Sequence, residues 1–364
     1  MQYRLQDVIN YPNLYWSLQQ CKKSKMWKDS VVSFNAYSDF YLFDILYMFY
    51  GYTPFYLDPF FHTIVNERGK ERLVCSLTIR DRVIQKTINQ FFLLPAFAPT
   101  LIYDNVASLQ GKGTGMAINR MKCHLQKAYR HYGTNFYILK TDIKSYFDTI
   151  NHDYCRYIIS HKTNDPILLH FFDTLFKMYK YDTFIHGGEY VNAGIGLGGE
   201  VPQTFGIIYL NELDHLYKEY YKIPYMIRYM DDTILIHPDK DYLYFILSES
   251  EKYVNNLGLK YSINKTKITH ISEGIKFLKF HYYLTDSGRV YIKPEKKNLK
   301  REIRKLKSFN DLLESGKITF SDIRCSYTSW RGHIGQADAF EEINQMDQLF
   351  NTLFIDNWYL NPEY

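Results

Sequence analysis

The chain has 364 residues, 23% charged and 46% hydrophobic, which excludes wholesale disorder, a collagen-like repeat and a disulfide-stapled miniprotein. Its net charge of +5 sits in one place: residues 293–307 carry eight Lys/Arg against Glu295 and Glu302, a net of +6, so the remainder sums to −1. A localised cationic segment implies an anionic partner held at a defined position.

The N-terminal stretch lacks a signal-peptide pattern. The most apolar run, residues 40–61, is broken by Asp44, Gly51, Pro54, Asp58 and Pro59, too often for a membrane span. It reads as a buried aromatic helix followed by a turn. Residues 67–70 then form a turn into a strand over 72–77. Val83, Ile84 and Ile88 have helical spacing, and Pro95 and Pro99 are expected to end that helix. The glycine-rich run 110–115 opens a second helix rich in Lys and Arg. A strand over 137–143 and a helix near 154–160 follow. Tyr242, Phe245, Ile246, Tyr253 and Leu257 recur at helical spacing, and 277–283 reads as one strand. Beyond Pro294 the chain is basic and helical, with Leu299, Ile303 and Leu306 as an apolar stripe opposite a cationic face. The fold class is α+β. The five cysteines are odd in number, widely spread and lack a C-x-x-C pair, so a reduced compartment is expected and no zinc site is suggested.

The sharpest chemical signal is Tyr225 to His237, where two β-prone apolar runs flank Asp231 and Asp232. A hairpin would hold both carboxylates at its tip, and their repulsion calls for a cation. A second apolar run, 136–141, leads into Asp142. An adjacent acid pair alone is usually a solvated turn; two acid sites that each end an apolar strand point instead to a shared divalent site. Asp142, the Ile143 carbonyl, Asp231 and Asp232 would offer oxygen ligands suited to Mg²⁺. Two such ions about 4 Å apart can activate a 3′-hydroxyl and steady a leaving pyrophosphate.

Tyr229-Met230-Asp231-Asp232 resembles the Y-x-D-D box of reverse transcriptases, and residues 141–152 (TDIKSYFDTINH) resemble the first catalytic-strand motif of the same enzymes. Residues 209–215 are similar to the helix after the template-binding loop in the prokaryotic branch, which includes group II intron, retron, diversity-generating and defence-associated enzymes. Residues 258–260 and 264–267 resemble the next motif, 274–278 the primer-grip hairpin, 80–85 and 111–114 finger motifs, and 329–333 a thumb motif. These segments keep the family's order over roughly residues 65 to 340, which is more specific than any four-residue box.

The resemblance implies a right-hand polymerase: an N-terminal extension and fingers over 1–133, a palm over 134–287 and a basic helical thumb over 288–364. Asp142 and Asp231 would bind two Mg²⁺ ions, or Mn²⁺, with Asp232 as a less direct acid, and Lys265 (or Lys267) would protonate pyrophosphate. Phe147 would lie under the incoming sugar and select dNTPs. Lys70, Arg72, Arg80 and Lys112 would hold the triphosphate, and Gln203 would border the substrate. Lys293, Lys296, Lys297, Lys300, Arg301, Arg304, Lys305 and Arg331 would follow the phosphates of a duplex between template RNA and a DNA primer or cDNA product.

Two departures stand out. Residues 197–203 carry Leu197, Glu200 and Pro202-Gln203 where group II intron enzymes begin with Gln and end in Ser-Pro, and Lys279 occupies a usual glycine position. The expected activity is RNA-directed DNA synthesis in a bacterial cytoplasm, within an antiviral or diversity-generating system and on a dedicated noncoding RNA. Removal of template RNA is expected from elsewhere, since no stretch reads as RNase H or an endonuclease. Two other functions fit the same residues: template-independent or self-primed DNA synthesis, and a non-catalytic RNA-binding scaffold. A homo-oligomer or an accessory protein is left open, and no membrane partner is expected.

Overall fold

The computed structural model describes residues 2–67, 70–185, 187 and 191–356. Three antiparallel sheets organise it, each supported by helices, in agreement with an α+β class. β1 (Phe61–Glu67) and β2 (Lys70–Ser76) make a two-stranded hairpin. The central sheet runs in the order β4 (Tyr225–Tyr229), β5 (Asp232–His237), β3 (Tyr137–Thr141), β6 (Lys267–His270). β7 (Ile275–Phe277), β8 (Phe280–Leu284) and β9 (Val290–Pro294) form the third.

The central sheet is covered on both faces because successive residues of its strands point opposite ways and both sets are apolar. Ile138, Ile227, Ile234 and Ile236 pack with Ala117, Ile118, Met121 and Leu125 of the helix Thr114–Tyr132. Leu139, Met226 and Leu235 join a larger core with Leu243, Ile246 and Val254 of the helix Lys240–Asn256. That helix starts where the Asp239 side chain accepts from the Asp241 and Tyr242 amides. A third, smaller core around Leu306, Ile323, Tyr327, Met346 and Phe350 holds together the helices Lys296–Glu314, Phe320–Ile334 and Phe340–Asn351.

Several local expectations change. The helix Ser38–Phe49 buries Leu42, Ile45, Met48 and Phe49 but leaves Phe40, Phe43 and Tyr47 exposed, so it is amphipathic in packing despite its uniform hydrophobicity. Pro95 and Pro99 do not stop the helix Ile79–Ile88; helical backbone continues through a π turn (Asn89–Leu93) to Thr100. Pro95 lies in the first turn of the next short helix, where a missing N–H breaks no hydrogen bond. Residues 277–283 are two strands, joined by a turn in which Leu278 and Lys279 both have positive φ. A boundary at 288 would cut the β8–β9 pair, whereas the basic helix begins at Lys296. Among the described residues, no helix is long and apolar enough to cross a membrane.

Candidate active site

β3 and β5 run antiparallel with Thr141 opposite Thr233, so Asp142 and Asp232 stand one step beyond the last pair, at the same edge of the sheet. β4 and β5 close through Tyr229 opposite Asp232, which leaves Met230 and Asp231 as the turn. Met230 takes φ +57°, a left-handed conformation that costs a side-chain-bearing residue about 1–2 kcal/mol. The turn is held from below. Arg228, 1% exposed, donates from Nη1 to the Met230 carbonyl at 2.9 Å, from Nη2 to the Ile207 carbonyl at 2.7 Å, and to both carboxylate oxygens of the equally buried Asp214. The three acids expected from the sequence are therefore brought together.

Their electrostatics show the strain of that gathering. Burial, followed by repulsion from Asp142, raises the Asp231 carboxyl above the ordinary range, while the charges of Lys265 and Arg72 oppose the rise. Burial pushes Asp232 up to about 6, although Lys140 donates to its Oδ2 at 2.9 Å. Asp232 Oδ1 is buried with no hydrogen-bond partner. Lys265 Nζ bonds both oxygens of Asp142 at 2.9 Å. An all-oxygen set, mutually repelling and with one orphaned acceptor, fits a hard divalent cation better than it fits water. The Ile143 side chain belongs to the core, and its backbone bridges to Tyr261, fixing the chain just past Asp142.

Phe147 and Met230 both border Gly206: a Cβ built on Gly206 would lie 3.1 Å from the Phe147 ring and 3.3 Å from the Met230 sulfur. The aromatic side chain is thus beside the acid-bearing turn. Gln203 is exposed one helical turn before Gly206 on the helix Glu200–Ile208, which puts it on the same helix face. Glu200, the unexpected acid, accepts from Lys86 at 2.9 Å and from Asn89 at 3.3 Å, so its charge is met by the neighbouring helix and π turn.

The proposed triphosphate cations separate. Arg72 is exposed on β2 and its charge reaches Asp231. The Lys70 side chain lies outside the described residues. Arg80 is buried, bonded to Asp81 at 3.1 Å and stacked on the Tyr56 ring at 4.1 Å, so it is a structural cation rather than a phosphate ligand. Lys112 donates to the carbonyls of Tyr103 at 3.0 Å and Asn105 at 2.7 Å and is committed to that loop. Of the basic C-terminal set, Lys296, Lys297, Lys300, Arg301 and Arg304 are exposed. Lys293 faces Glu342 at 3.7 Å, Lys305 pairs with Glu302 at 2.6 Å, and Arg331 forks onto Asp347 at 3.0 Å.

Lys140, Arg228 and Asp214 had no assigned role in the sequence. Lys140 had a readable signal: it lies two residues before Asp142, hence on the same face of the strand. Arg228 interrupts an apolar strand, and a buried cation requires an acid, but nothing local points to Asp214.

The family profile described as "Reverse transcriptase (RNA-dependent DNA polymerase)" matches residues 64–282. No curated protein matches the chain by sequence. Among solved structures, apo telomerase from Candida tropicalis aligns with a TM-score of 0.50 at 13% identity, covering 82% of this chain and 59% of that one. Telomerase from Candida albicans in complex with a fragment of telomeric RNA gives 0.48 at 12%, covering 70% and 51%. The chain thus spans little more than half the length of these structures, and the first likeness is one of fold.

Proposed function

The chain belongs to the reverse transcriptase family, and on that premise we propose that it is an RNA-directed DNA polymerase that extends a DNA primer by nucleotidyl transfer. The observation that carries this is the convergence of Asp142, Asp231 and Asp232 at one sheet edge with an orphaned carboxylate oxygen. The donor set fits Mg²⁺ or Mn²⁺, held by Asp142 and Asp231 with Asp232 adjoining; when bound, such ions supply positive charge at the reacting phosphate and acidify the primer hydroxyl. Lys140 fixes the Asp232 carboxylate, and the Arg228–Asp214 pair fixes the turn that presents Asp231. Lys265 is within reach of Asp142 and is the proton source for pyrophosphate in this reading. Phe147 excludes a 2′-hydroxyl, and Arg72 meets the triphosphate. The central sheet with its covering helices serves as palm, the segment before it as fingers and the three C-terminal helices as thumb.

The finer reading is a bacterial enzyme of a defence or diversity-generating system, working in the cytoplasm on a dedicated noncoding RNA. Its support is the 209–215 segment, which is similar to the prokaryotic branch. Glu200, an acid in the altered 197–203 segment, has its charge met by Lys86, and templated synthesis is the simpler reading. Purified protein with Mg²⁺, dNTPs and a primed RNA should incorporate label, and Asp231→Asn should abolish incorporation. Equal activity of the two proteins would remove the assignment.

A further inference from the structure

β1 and β2 pair as a two-stranded hairpin, bridged beyond itself only at Leu197 among the described residues, with His62 opposite Cys75. Directly opposed residues project from the same face of a hairpin with Cβ atoms about 4.5–5.5 Å apart. Asp182, in the last turn of the helix Pro166–Ile185, comes up against this pair. Its Oδ2 accepts from Cys75 Sγ at 3.3 Å, and its Oδ1 contacts His62 Nε2. One nitrogen, one sulfur and one carboxylate oxygen all lie within 4.8 Å of one another. Cys75 and Asp182 are buried, while His62 sits at the solvent-facing rim.

The geometry points to a second metal site, a Zn²⁺ site made by His62, Cys75 and Asp182, with solvent in the fourth position. Thiolate, imidazole and carboxylate are the donors that zinc takes in tetrahedral coordination, and they separate this site chemically from the all-oxygen catalytic one. On binding, the Cys75 thiol loses its proton to solvent as the metal–sulfur bond forms, and His62 binds through neutral Nε2. The need for such a link lies in the fold. A two-stranded hairpin is marginal by itself, and most of β1 is exposed. A metal here would fasten both strands to a long helix. It would also brace the approach to the helix that carries Gln203 and Gly206, because the Cys75 amide donates to the Leu197 carbonyl at 2.7 Å. Cys75 and Asp182 are 107 residues apart, so no local sequence motif announces the site.

The test titrates the full-length, chelator-treated chain with Co²⁺ and follows thiolate-to-cobalt charge-transfer absorption, with Zn²⁺ as competitor. The expected result is a one-to-one signal that Zn²⁺ displaces. It persists in Asp231→Asn, is lost in Cys75→Ser, and in His62→Ala needs at least about tenfold more cobalt. His62 lies at the rim, so His62→Ala keeps the test valid if Cys75→Ser does not fold. Three results would each overturn the site: no such absorption in the folded wild type, a signal that survives Cys75→Ser, or an unchanged affinity in His62→Ala. The first outcome would mean that the three groups only hydrogen-bond to one another, and the last that His62 is not a ligand.

Discussion

Phe147 and Met230 both border Gly206, where an added side chain would press each of them back by a few tenths of an ångström. The ring thus lies close to the turn that presents Asp231, and in the proposed reading sugar selection and acid placement are neighbours. Phe147→Ala should leave deoxynucleotide incorporation measurable while narrowing the preference for dNTP over rNTP, read as the ratio of kcat/KM values, by about 10–200-fold. An unchanged ratio would place the ring in the core alone. The buried Arg228–Asp214 pair is a stiffer case. Lys cannot reproduce the fork or the bond to the Met230 carbonyl, so Arg228→Lys should cost about 3 kcal/mol in urea unfolding and depress primer extension. The three acids of the candidate site were legible because Asp142 and the Asp231–Asp232 pair each follow an apolar, β-prone run. The Arg228–Asp214 support was not, because a buried ion pair joins residues that only the fold brings together.

At the scale of elements, the sequence misreads turns whose residues are not turn formers. Residues 277–283 contain Leu278-Lys279 where a two-residue hairpin normally wants Asn-Gly, so the run looks like one strand. Both residues nevertheless adopt positive φ, and the Lys279 carbonyl accepts from the Glu295 amide at 3.2 Å, tying the hairpin to the start of the basic helix. Lys279 stands at φ +73° where the family resemblance calls for glycine, and the backbone has kept the glycine conformation. Lys279→Gly should therefore raise stability by about 0.5–1 kcal/mol, and Lys279→Val should lower it, both read from the urea midpoint at constant m-value. The prolines after the helix Ile79–Ile88 misled for the opposite reason: a π turn shifts Pro95 into a first-turn position that tolerates it.

Across the whole molecule, the charge imbalance between residues 293–307 and the rest becomes a geometric statement. The apolar stripe of the helix Lys296–Glu314 faces its two partner helices, with Leu306 fully buried, and Glu302 is buried beside it. Lys305 neutralises Glu302, and Lys293 and Arg331 are spent on Glu342 and Asp347. In the proposed reading nucleic-acid contact falls to the exposed cations, of which Lys297, Lys300 and Arg304 lie at i, i+3 and i+7 on one side of the helix. Each phosphate they neutralise releases counterions and steepens the dependence of binding on salt by about one unit of log–log slope. The triple variant Lys297→Gln/Lys300→Gln/Arg304→Gln should thus bind a primed RNA template more weakly, with a slope shallower by about three, while keeping its thermal transition. Arg331→Gln offers the contrast: it should leave the slope nearly unchanged, since its guanidinium already serves Asp347. A triple variant with the parental slope would move the duplex off this helix and onto another cationic surface, whatever the fate of the catalytic acids.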